Sequence, residues 1–136
     1  MKWFQLAVGL LLFILFCVSG RMMRTDFPDK DLISPELRIL MRSRHIYILF
    51  NALIWLVLGT YYTPDGRRPL NFALQRAGTL LLLISSGCLL YGWYAESYEF
   101  GHYTDISRWG IYLSLAGVGF HLVGGLIRKA NPMNTG

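Results

Sequence analysis

Charge is scarce in this chain. Of its 136 residues only 15% are Asp, Glu, Lys or Arg while 54% are hydrophobic, whereas soluble domains carry roughly 25% charged residues. The charge that exists is also clustered, because every Lys and Arg except Arg76 lies in or beside one of four short polar segments. A soluble fold needs charge spread over its whole surface, so that class is excluded. Cysteine is nearly absent. Cys17 and Cys88 both fall inside apolar stretches, where they read as small core residues, not as a disulfide or a metal pair. Three histidines are too few for a His-rich metal site. No phosphate-binding glycine loop, no pair of catalytic carboxylates and no nucleophile beside a base stands in the sequence, so no enzyme activity is expected. Internal repeats and low-complexity tracts are absent as well.

What is present is four apolar stretches, about Trp3 to Gly20, His45 to Tyr62, Phe72 to Tyr94 and Ile106 to Ile127. Each is long enough to cross a hydrocarbon layer ~30 Å thick as a helix. The expected architecture is all-α, a single domain over residues 1–136 forming an integral membrane bundle of four transmembrane helices. Lys2 and the run ending Val18-Ser19-Gly20 have the outline of a signal peptide. The run is longer than a usual signal core, and Arg21 and Arg24 flank it as they would a span, so it is read as the first helix. A pI near 9.5 would suggest nucleic acid in a soluble protein. Here the arginines sit at span ends, where anionic headgroups account for them, and nucleic acid is not expected as a partner.

Residues Arg21 to Arg44 form the one sizeable polar segment, and it contains a helix start. Ser34 can cap, Pro35 suits the first helical position, and Glu36 complements the positive helix end. Leu37, Leu40 and Met41 then continue an amphipathic pattern into the second span without a breaker, so helix two is expected to extend beyond the bilayer. Thr63-Pro64-Asp65-Gly66 reads as a tight turn and Pro69 as the opening of the third helix. Spans two and three, and spans three and four across Gly101, are therefore expected as hairpins. Aromatic residues mark the water boundaries: Trp3, Phe4, Tyr61, Tyr62, Trp93, Tyr94, Trp109 and Tyr112. The first and third loops together hold seven Lys or Arg residues and the opposite side five, or six with Arg76. That asymmetry, with arginines close against two span ends, favours a cytoplasmic first loop, in a bacterial inner membrane.

Two rows of small residues repeat every seven positions: Gly78, Ser85 and Gly92 in the third span, and Gly110, Gly117 and Gly124 in the fourth. They mirror each other about Gly101. In lipid, helices approach closely through Gly, Ala and Ser, and a seven-residue period keeps such a face aligned along a crossing near +20°. These rows are expected to pack spans three and four together, with an alternative in which part of the glycine-rich fourth helix meets another subunit. Span two has a weaker row, His45, Ala52 and Gly59. Span one, with only Gly9 and Gly20, is expected at the periphery.

The same mirror gathers Asn51, Thr79 and His121 at one depth, with Arg76 a turn or two away, as a candidate polar pocket. An ionisable residue inside a span usually has partners or a watery cavity. The simpler alternative is that Arg76 snorkels to the headgroups and His121 hydrogen-bonds locally. A second constellation, Glu96, Glu99, His102 and Asp105 with His45 at the same face, contains plausible divalent-cation ligands. An acidic loop pairing with Arg38, Arg42 or Arg44 is the preferred reading, and no metal is expected. Haem is disfavoured by depth: His121 lies about fifteen residues, or ~22 Å, from the face where His45 lies, too far for a shared iron. No cofactor is expected. The function indicated is a non-catalytic accessory or scaffold subunit, with the bilayer, other membrane subunits or a second copy as partners. A small transporter, channel or lipid-binding protein using the polar pocket is the second reading, and a metal or haem protein the third.

Overall fold

The structure is a computed structural model that describes residues 2–26, 34–61, 69–96 and 105–130. The described residues form four helices and no strand: α1 (Lys2–Asp26), α2 (Pro35–Tyr61), α3 (Pro69–Glu96) and α4 (Asp105–Ala130). Each is long and apolar enough to cross a membrane, and the molecule is an all-helical, four-span bundle. The Thr63 to Gly66 turn, the segment around Gly101, Glu99 and His102 lie outside the described residues.

The helix starts follow local chemistry. Ser34 Oγ accepts the backbone N–H of Leu37 at 3.3 Å and its carbonyl accepts Arg38 N–H at 3.1 Å, which satisfies donors that a helix start leaves open. Pro35 and Pro69 each occupy a first helical position, where the missing N–H costs nothing. Ten residues of α2 precede His45, so this helix rises about 15 Å before its apolar span begins.

Burial is inverted relative to a soluble protein. Among the described residues the buried set contains thirteen polar or charged side chains and eight hydrophobic ones. Leucines, phenylalanines and valines such as Leu10, Leu53, Leu80, Leu122 and Leu126 point outward. In lipid an outward leucine loses nothing, while a polar group gains by finding a partner inside.

Helices α3 and α4 form the most extensive interface, followed by α1 with α2; α2 then joins the two pairs, mostly through α3. Leu12, Ala52, Trp55 and Leu82 make the apolar centre where α1, α2 and α3 meet. Helix α1 is peripheral in that α2 is its one substantial neighbour. It is nevertheless held closely: a methyl group on Gly9 would stand 2.9 Å from the Leu56 backbone nitrogen, and one on Gly59 2.9 Å from that of Leu6.

All six small residues of the mirrored rows lie buried, but their pairing is shifted. A methyl group on Gly78 would stand 2.8 Å from the Gly117 carbonyl oxygen, and Ser85 bonds the Gly110 carbonyl. Gly124 faces Asn71 and Gln75, and Gly92 faces Ser107. Expected partners are thus displaced by about one heptad along α4. Helical side chains lean toward their own N-terminus, so the carboxylate of Glu96 points back toward Gly92. It receives the start of α4 at that level, which seats α4 deeper than a symmetric turn would.

Candidate functional site

Polar side chains inside the bundle gather in three places along its axis. At mid-depth, Asn51 of α2 lies between α3 and α4 with no exposed surface. Its Nδ2 donates to Ser85 Oγ at 2.9 Å and to Ser114 Oγ at 2.8 Å, while its Oδ1 accepts from Ser86 Oγ at 3.0 Å. Ser85 donates to the Gly110 carbonyl at 2.7 Å, so Ser114 supplies the proton of the 2.5 Å bond between the two serines. Trp55 Nε1 donates to Ser86 Oγ at 3.0 Å, and the Leu82 carbonyl lies 2.8 Å from the same oxygen. With that assignment every Asn51 donor and acceptor is used, and three helices are tied by one network.

At one end, Arg44 and Glu96 form a buried ion pair. Arg44 Nε stands 3.6 Å from Glu96 Oε2, with side-chain exposures of 3% and 7%, and Arg44 Nη1 donates to the Glu96 carbonyl. Glu96 also accepts the Ile106 backbone N–H at 2.9 Å and the Ser107 hydroxyl at 2.6 Å. One carboxylate therefore caps α4 and neutralises an arginine of α2, both at a positive helix end that favours an anion. Next to it, His45 Nδ1 stands 3.0 Å from Ser19 Oγ, whose proton goes to the Phe16 carbonyl at 2.9 Å, so the imidazole is the donor. The Phe16 ring stacks on it at 4.1 Å between centroids.

At the other end, Thr79 Oγ1 donates to the Gln75 carbonyl at 2.9 Å and lies 3.3 Å from His121 Nε2. Asn71 is fully buried beside Gly124.

The expected pocket of Asn51, Arg76, Thr79 and His121 is thus divided. Thr79 and His121 meet; Asn51 belongs to the serine network, and Arg76 is exposed with its guanidinium 4.7 Å from the centroid of the Phe72 ring. Folding the first hairpin symmetrically about Gly66 placed Asn51 opposite Leu81, whereas it meets Ser85 and Ser86 about one turn farther along α3. Among the described candidates for a cation site, no group of three or more potential ligands converges. Glu96 is committed to Arg44 and α4, Asp105 bonds Arg108 at 2.6 Å, and His45 faces Ser19. Of the three arginines offered as loop partners, Arg44 is the one that pairs with Glu96.

Ser86, Trp55 and Ser107 carry central hydrogen bonds that spacing did not single out. A usable signal was present in two places. Asn51 and Trp55 stand one turn apart on α2, and Ser85-Ser86 forms an adjacent polar pair inside an apolar run. Compared with protein-family models, curated proteins and solved structures, the chain matches none.

Proposed function

We propose that this four-span protein works without catalysis, as an accessory or scaffold subunit of a larger membrane assembly. The observation that carries this reading is how the interior polar groups are used. Asn51, Ser85, Ser86, Ser114 and Trp55 bond one another at mid-depth, where a transport path would need groups turned toward a passage. With the centre closed by Ile48, Trp55 and Leu82, each at most 1% exposed, the outer faces are what remains for interaction.

Those faces divide the glycines of α4. Gly117 and Gly124 are filled by α3, whereas a methyl group on Gly119 or Gly125 would meet nothing within 4 Å, as at Gly87 of α3. Small outward residues let a partner helix approach closely. The distribution of positive charge, seven Lys or Arg residues against five, or six with Arg76, supports a cytoplasmic first loop, in a bacterial inner membrane.

Purification of the tagged protein in mild detergent, with mass spectrometry of what accompanies it, tests the proposal. Specific membrane proteins are expected to copurify, and Gly119→Leu with Gly125→Leu is expected to remove them while leaving the fold intact. A protein that emerges alone would overturn the reading.

A further inference from the structure

Between α2 and α4, at the end where Arg44 meets Glu96, lies a cleft of about 180 Å³ lined by Leu40, Ser43, Arg44, Tyr47, Ser107, Arg108 and Ile111. We infer that this cleft binds the phosphate of an anionic phospholipid, with the acyl chains running down the outside of α2 and α4. The inference is independent of the scaffold role.

Four observations converge on it. First, two guanidinium groups from different helices line one cavity, and neither is fully used. Among the described residues Arg44 makes one hydrogen bond, from Nη1 to the Glu96 carbonyl, and its Nε faces Glu96 Oε2 at 3.6 Å without a hydrogen bond although the residue is 3% exposed. Among the described residues Arg108 is tied to Asp105, in a pair whose side chains are 51% and 59% exposed, and such a surface pair is weak enough to exchange partners.

Second, the buried Glu96 carboxylate is already occupied. The Glu96 carboxylate accepts from Ile106 and Ser107 as well as facing Arg44, so it competes poorly for the rest of the guanidinium. The amino end of α4 adds its partial positive charge, since Ser107 and Arg108 sit in its first turn. Third, among the described residues the Tyr47 hydroxyl has no hydrogen-bond partner and Ser43 bonds back to the Ile39 carbonyl at 2.9 Å; both residues line the cleft, where their hydroxyls can serve a phosphate oxygen.

Fourth, the depth and the walls suit a lipid. Trp109 and Tyr112 are exposed on the same turns of α4, which puts the cleft at the headgroup level where aromatic rings gather. Leu40 and Ile111 supply an apolar wall, and Leu115 and Phe50 continue exposed apolar surface beyond the cleft along α4 and α2. The volume exceeds by an order of magnitude the ~10–15 Å³ that one water needs.

Native mass spectrometry of the detergent-solubilised full chain, with phosphatidylglycerol or phosphatidylcholine added at equal concentration, tests this. Wild type is expected to retain phosphatidylglycerol preferentially. Arg108→Gln should lower its retention about tenfold, equivalent to about 1.4 kcal/mol, and Tyr47→Phe by a smaller factor. Arg21→Gln, an exposed arginine on α1, should change nothing. The Tyr47→Phe arm stands by itself should Arg108→Gln fold poorly. Equal loss in Arg21→Gln would mean diffuse surface attraction and overturn the site, as would equal retention of the two lipids. Displacement of phosphatidylglycerol by an equal concentration of inorganic phosphate would assign the cleft to a soluble anion and overturn the lipid.

Discussion

The two most extensive helix pairs of this molecule, α1 with α2 and α3 with α4, use glycine in different ways. Between α1 and α2, two glycines receive leucines, Gly9 facing Leu56 and Gly59 facing Leu6, and Gly20 receives the His45 ring. Polar contact is confined to one end, where Ser19 meets His45. Between α3 and α4, glycine meets glycine at Gly78 and Gly117, and Ser85, Thr79 and Glu96 all bond across. A leucine in a glycine notch supplies dispersion without orientation beyond its shape. Side-chain hydrogen bonds between closely packed helices specify both register and rotation. Helix α1 is therefore attached, whereas α2, α3 and α4 are interlocked.

That contrast predicts an ordered series of losses, read as unfolding free energy in detergent. Glu96→Ala should cost most, about 3–5 kcal/mol, because it leaves Arg44 buried without its counter-charge and opens the start of α4. Gly117→Leu follows at about 1–3 kcal/mol or more. Its new side chain would press on the Gly78 carbonyl and on Leu82, and loss of folded monomer is expected. Gly9→Leu is the matching change in the α1–α2 pair. It should release α1 alone, so that hydrogen exchange accelerates in α1 while α2, α3 and α4 stay protected. If all four helices lose protection together, α1 is part of the interlocked unit and the contrast fails.

Asn51→Leu should cost about 1–2 kcal/mol, since interhelical hydrogen bonds in lipid average ~0.6 and reach ~1.7 kcal/mol. The smallest effect belongs to Ser19→Ala, about 0.6 kcal/mol on the same scale. A larger loss from Ser19→Ala than from Asn51→Leu would reverse the ranking of the two interfaces.

The helices themselves were legible from composition, and Ser34, Pro35 and Pro69 marked their starts because caps and prolines act within a few residues. The identity of the packing residues was legible too, as a period of seven. Their register was not. A row that repeats every seven residues matches its mirror almost as well after a slip of seven, so Gly78 could face Gly124 or Gly117 with equal local logic. The tie is broken by a contact the rows do not contain, the docking of Glu96 on Ile106 and Ser107. The candidate pocket failed in part through register as well: about one turn along α3 separates Leu81 from the serines that Asn51 meets.

Sequence alone determined that this chain spans a membrane four times, which residues permit close approach, and that Arg44 was among the arginines able to meet an acidic partner. Those properties follow from hydropathy, side-chain size and local charge, all of which act over one or two turns. Tertiary structure alone decided which small residue meets which, that Arg76 faces outward, that Asn51 closes a network with Ser85, Ser86 and Ser114, and that Arg44 and Arg108 share a cleft. Such pairings depend on how far one helix slides past another, and that distance is set by whichever buried polar groups must find partners when no water is there to supply them.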